Sequence, residues 1–200
     1  MIIGITGGVG CGKSTVCKYI KEITGCLVID TDSIAKSLME PGNDCYCDIV
    51  SYFSGDILND DLTINRSKLS KIVFNDKEKL EVLNSFTHER TIEKVKAIIK
   101  DNSSKIIIIE SALLLETELE NLCDYKIFVT ASLNNRKERL ISGRGYSIER
   151  INNMIEKQKN DEFYISKSNF ILLNDKLSDM KKSVSEKLIE LGLYEINSEE

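Results

Sequence analysis

The first twenty residues set three things in a row. An apolar run, Ile2-Ile3-Gly4-Ile5-Thr6, leads into the octet Gly7-Gly8-Val9-Gly10-Cys11-Gly12-Lys13-Ser14. An amphipathic stretch, Thr15-Val16-Cys17-Lys18-Tyr19-Ile20, follows. The octet fits the phosphate-binding pattern G-x-x-x-x-G-K-[ST] with no mismatch. Strand, glycine loop and helix is the context that this pattern needs. Glycines let the backbone curl so that successive N–H groups point inward at an anion. The helix N-terminus adds its partial positive charge. A nucleoside triphosphate is the expected ligand, held by Gly8, Val9, Gly10, Cys11, Gly12, Lys13, Ser14 and Thr15. Lys13 is expected to reach the β- and γ-phosphates, and the Ser14 hydroxyl to ligate Mg²⁺. Cys11 lies beside Lys13 and just before a helix N-terminus, which predicts a lowered thiol pKa and a reactive thiolate; the alternative is a side chain pointing into the core behind the loop.

Beyond this segment the elements alternate. Short apolar runs at 2–6, 27–30, 105–110, 126–130 and 170–173 read as strands covered on both faces. Helices are expected over 13–23, 31–39, 44–53, 66–74, 76–100, 113–122, 134–142, 147–166 and 177–191. Such an alternation predicts an α/β fold, a doubly wound parallel five-stranded sheet of the P-loop type. Residues 1–200 suit one domain. Two helical stretches exceed what the sheet needs: about 44–100, expected to bind the acceptor, and about 134–166, expected to form a lid. Pro41-Gly42 and Ser54-Gly55 are the clearest turn signals.

The chain is 42% hydrophobic and carries a net charge of −5, which argues against nucleic acid or a membrane surface as partner. No apolar run nears the ~18 residues of a membrane span. The N-terminus has no basic region before its apolar run, so a cytoplasmic location is expected. Six cysteines without a C-x-x-C pair, and one histidine, give no zinc pattern. Reduced thiols, mostly buried, are expected.

Candidate catalytic groups cluster at strand ends. Asp30 and Asp32 close the second strand, where an open parallel sheet presents its ligand crevice. If the chain stays extended, both carboxylates share a face. One is then placed to take a hydroxyl proton and the other to hold Mg²⁺ or its waters. Alternatively, Asp32 caps the next helix. Glu110 ends the third strand as either a Mg²⁺-assisting acid or a surface acid. Leu113 and Leu114 follow it, at the crevice or packed inside a helix. Arg136, Arg139 and Arg144 lie in the expected lid, where arginines clamp transferring phosphates. His88 falls on the apolar stripe with Ile92, Val95 and Ile99, which by spacing suits a half-buried core histidine.

Taken together, these segments resemble the bacterial dephospho-CoA kinase family over nearly the full length. The resemblance rests on residues 4–15, on Val28-Ile29-Asp30-Thr31-Asp32-Ser33-Ile34-Ala35-Lys36 and on Glu40-Pro41-Gly42. It extends through Arg66, Leu69, Ile72-Val73-Phe74, His88, Leu113-Leu114-Leu115-Glu116, Gln158 and Asn174. It implies ATP-dependent phosphorylation of the ribose 3′-hydroxyl of dephospho-CoA, with Asp32 as base. It also implies Arg139 and Arg144 as lid clamps, and Arg66 and His88 at the acceptor. Asn174 is implied to lie near the adenine. A monomer or weak homo-oligomer is expected. The sequence departs from the family pattern at Glu89 and Ala112, where prolines are usual. It departs also at Met154, where an arginine is usual, and at Ser168-Asn169, where Ala-Asp is usual.

Two other readings stand beside this one. A kinase of the same fold acting on another small molecule or nucleotide lacks the Asp-x-Asp and Glu-Pro-Gly signals. A non-catalytic paralogue that binds CoA-like ligands retains them. A GTP-type switch is disfavoured, because no Asn-Lys-x-Asp motif is present.

Overall fold

A computed structural model describes residues 1–74, 76–103 and 105–195. Five strands, β1 (Ile2–Thr6), β2 (Leu27–Asp30), β3 (Ile107–Glu110), β4 (Tyr125–Thr130) and β5 (Phe170–Leu173), form one sheet in the order β2-β3-β1-β4-β5. The pairings of β1 with β3, β1 with β4 and β4 with β5 are parallel. The doubly wound parallel sheet expected from the sequence is therefore found. Strand β1 sits at the centre with Ile3 and Ile5 fully buried, which matches its apolar run from Ile2 to Ile5.

Helices α1 (Lys13–Thr24), α2 (Thr31–Leu38), α3 (Asp44–Phe53), α4 (Arg66–Phe74) and α5 (Lys77–Asp101) precede β3. Helices α6 (Leu133–Arg144), α7 (Ile148–Glu156), α8 (Asp161–Lys167) and α9 (Leu177–Glu190) follow β4. The chain divides into two compact units, Asp30–Ser103 and the remainder. The sheet unit packs Val16, Cys17 and Ile20 of α1 and Met180, Val184 and Leu188 of α9 around Ile3, Ile108, Ile127 and Leu172. The other unit closes a core of its own from Cys45, Ile49, Phe53, Ile57, Ile64, Leu69 and Val73.

Two helical expectations are corrected. The stretch 113–122 is not a helix but two 3₁₀ turns, Leu114–Glu116 and Glu118–Leu122. Leu114, Leu115 and Leu119 are buried, so packing beneath β1 decides the backbone there, not periodicity. The stretch 147–166 is two helices, α7 and α8, with Gln158 in the break. Asn160 forces the restart, because its side chain caps α8 by accepting from the Phe163 N–H.

Candidate active site

The loop between β1 and α1 is shaped by its glycines. Gly7 has φ 148°, and a Cβ there would strike the Val129 carbonyl of β4. Gly12 is the N-cap of α1 in the left-handed region, φ 85°, and contributes no side-chain cap. Helix α1 also has no acidic residue in its first turn. The Thr15 N–H donates back to Gly12 O at 3.1 Å, and the N–H groups of Lys13 and Ser14 before it are left for an outside anion.

The carbonyls of the loop are held by side chains. Lys13 Nζ donates to Gly7 O at 2.9 Å and to Gly8 O at 3.4 Å. Arg136 Nε donates to Val9 O at 2.9 Å. Arg139 Nη1 reaches Gly10 O and Cys11 O, each at 3.5 Å, and its Nη2 donates to Asn174 O at 2.6 Å. Asn174, only 3% exposed, donates its Nδ2 to Cys11 O at 2.9 Å. The Asn174 amide thus braces the loop from behind. Arg144 stands exposed at the end of α6, before the left-handed Gly145. Among the described residues it makes no hydrogen bond or ion pair, unlike Arg139.

On the other side of the loop, Ser14 Oγ donates to Glu110 Oε1 at 2.7 Å. The parallel register that sets Ile5 opposite Glu110 brings this acid beside the start of α1. One turn further along α1, the buried Cys17 thiol also bonds Glu110, and burial together with that carboxylate pushes its pKa up. A hydroxyl and a carboxylate side by side are oxygen donors that suit a small hard cation.

Two sequence expectations fail in this unit. Cys11 is 1% exposed, and burial pushes its thiol pKa up despite the nearby Arg136 and Lys13. Its main chain remains part of the loop, but its thiol is not the reactive thiolate expected. Leu114 is fully buried, with its side chain against Gly4, and supports β1. Only Leu113, 42% exposed, is open to a ligand.

In the unit Asp30–Ser103, the two aspartates differ. The chain turns helical at Thr31, so they do not share an extended face. Asp30 is the cap: its carboxylate accepts from the N–H groups of Asp32 and Ser33 at 3.0 and 3.2 Å and from Ser33 Oγ at 2.6 Å. Asp32 lies exposed in the first turn of α2, and its carboxylate has no partner among the described residues. Arg66, on α4, pairs with Glu40 at 3.1 Å and donates to Lys36 O at 3.3 Å, which joins α4 to the Glu40-Pro41-Gly42 turn. His88, on α5, is half-buried; desolvation draws its pKa below the ordinary value, and it too has no partner among the described residues. Arg90, two residues on, pairs with Asp48 at 2.5 Å. It lines a groove of about 370 Å³ with Leu38, Asn43, Cys45 and Lys94, which none of the expected acceptor residues enters.

A parallel sheet with a phosphate loop after its central strand, and an acid ending the neighbouring strand, defines a P-loop kinase. Residues 1–179 match the dephospho-CoA kinase family, and the chain belongs to that family. It is similar to a dephospho-CoA kinase of Lactobacillus johnsonii, 36% identical over 200 residues, covering 95% of this chain and 98% of that one. The dephospho-CoA kinase structure from Campylobacter jejuni matches with a TM-score of 0.64 at 26% identity, over 95% of this chain and 96% of that one. TT1252 from Thermus thermophilus shares the fold at a TM-score of 0.82 and 24% identity, over 96% of this chain and 97% of that chain.

The sequence offers Arg136 only as one of three lid arginines and Gln158 only as a point of family resemblance, yet Arg136 grips the loop directly and bonds Gln158. Its signal was its spacing, one turn before Arg139 on the same helical face.

Proposed function

We propose that this protein transfers the γ-phosphoryl group of ATP to the ribose 3′-hydroxyl of dephospho-CoA. The family match over residues 1–179 carries the reading. The uncapped N-terminus of α1 supports the donor half.

On this reading the N–H groups of the loop and of the first turn of α1 hold the ATP phosphates. Lys13 leaves the carbonyls of Gly7 and Gly8 for the β- and γ-phosphates. Arg139 and Arg144 stabilise charge on the transferring group. Asp32 takes the proton from the acceptor hydroxyl. That role falls to Asp32 because the oxygens of Asp30 are already spent on capping α2. Arg66, His88 and Leu113 contact the acceptor. Ser14, with Glu110 beside it, would hold Mg²⁺, which when bound offsets negative charge on the phosphates.

We place residues 44–100 in acceptor binding and 134–166 in the lid of a single kinase domain. No helix among the described residues is long and apolar enough to cross a membrane. A cytoplasmic enzyme, monomeric or weakly homo-oligomeric and without a nucleic-acid partner, fits this reading.

ADP release with ATP and Mg²⁺, measured across a panel of acceptors, tests the proposal. Turnover that depends on dephospho-CoA, with a product phosphorylated at the 3′-position, is expected. Turnover only with another nucleotide or small molecule would select the rival kinase. Nucleotide binding without any acceptor-dependent turnover would select the non-catalytic paralogue.

A further inference from the structure

Val9 is held at both of its peptide groups. Arg136 Nε donates to its carbonyl at 2.9 Å, and its N–H donates to Gln158 Oε1 at 3.3 Å. Arg136 Nη2 donates to that same oxygen at 2.9 Å. The three residues close a ring of hydrogen bonds around one side-chain carbonyl. Gly8 lies directly beneath it: a Cβ there would come within 2.6 Å of Arg136 Nη2 and 2.8 Å of Gln158 Oε1. A larger residue at position 8 would thus displace the ring.

The break between α7 and α8 makes this possible. A continuous helix over 147–166 would direct residue 158 by helical phase. The chain instead leaves α7 after Glu156, and the Gln158 side chain reaches the loop.

The guanidinium of Arg136 uses Nε and Nη2 in the ring. Its third nitrogen, Nη1, makes no hydrogen bond among the described residues. A cation fixed at a loop that binds an anion, with one donor edge to spare, is arranged for a phosphate oxygen. We propose that Arg136 is a phosphate-binding residue for the nucleotide, and that Gln158 is the positioning residue that holds it over Gly8. This rests on the nucleotide reading given above. Glutamine suits the task because its carbonyl accepts from two donors without bringing negative charge to an anion site. A glutamate would accept equally well and would oppose the phosphates.

The test is equilibrium binding of ATP and ADP without acceptor, on the full chain, by calorimetry. Gln158→Ala is expected to weaken ATP binding roughly ten-fold, on the scale of one lost charge-assisted contact. The KM for dephospho-CoA is expected to stay unchanged. Gln158→Ala combined with Arg136→Ala is expected to bind no more weakly than Arg136→Ala alone, because both remove one device. Gln158→Glu is expected to lower ATP affinity more than ADP affinity, an effect that a merely structural role does not produce. Arg136→Lys keeps the charge and loses the fork, and is expected to match Gln158→Ala; it stands in should that variant not fold. Wild-type ATP affinity in folded Gln158→Ala or Arg136→Lys, or additive losses in the double variant, would overturn the proposal. Wild-type protein that binds ATP but releases no ADP with dephospho-CoA would overturn the functional reading alone, since the binding cycle needs no acceptor.

Discussion

Asn174 Nδ2 donates to the carbonyl of Cys11 at 2.9 Å, joining two residues 163 positions apart in the chain. The residue that follows the last strand thereby braces the loop that follows the first. Asn174→Ala leaves the Cys11 carbonyl without its shortest partner and opens a small buried gap. It is expected to destabilise the fold by about 1–3 kcal/mol and to weaken ATP binding as well. Urea denaturation and ATP titration on the same variant check both effects. Unchanged stability would show that Arg139 alone secures that carbonyl.

Lys13→Ala is expected to remove most phosphoryl transfer while the fold remains. The missing charge at the transferring group should raise the barrier by roughly 3–4 kcal/mol, on the scale of a lost preorganised donor. Steady-state kcat alongside circular dichroism is the measurement. Near wild-type turnover would remove Lys13 from the site.

The aspartates of α2 should separate cleanly. Asp32→Asn is expected to lower kcat far more than it raises the KM for ATP, with little change in melting temperature. Asp30→Ala is expected to cost about 1 kcal/mol of stability through the lost cap. Reversed behaviour, with stability lost at Asp32 and rate lost at Asp30, would exchange their roles.

Cys11 should resist alkylation in the folded protein with or without Mg-ATP. Its thiol is buried and its pKa stands above the ordinary 9.0. Cys123 is pushed up to about 12, and Cys17, Cys26 and Cys45 are raised too. The sign follows from linkage. Below 9.0 these thiols hold their protons in both states; above it the unfolded chain loses protons that the folded chain keeps. Stability should therefore fall as pH rises past about 9. Thiol labelling against pH, with urea melts at pH 8 and pH 10, tests this. Exposed Cys47 supplies the labelling control.

Legibility followed the range of the interactions. The run from Ile2 to Ile20 was readable because strand, glycines and helix start are local features, and α3 and α4 were read to the residue for the same reason. The stretch after β3 was not. Leu113-Leu114-Leu115 permits a helix, but the burial of Leu114 against Gly4 is settled by a strand over 100 residues away in sequence. The aspartates show the same limit. Alternation along a strand suggested a shared face, but α2 starts directly at Thr31 and takes Asp30 as its cap. Proximity of Cys11 to Lys13 suggested a thiolate, while burial, which no local pattern reports, decided otherwise.

Every carbonyl from Gly7 to Cys11 is engaged by a side chain: Lys13, Arg136, Arg139 or Asn174. The loop therefore loses its conformational entropy when the chain folds, not when ATP arrives. To a nucleotide it is a rigid receptor, and capture should proceed with little rearrangement of main chain. On the proposed reading, Lys13 then trades two carbonyl oxygens of its own loop for the phosphates of its guest.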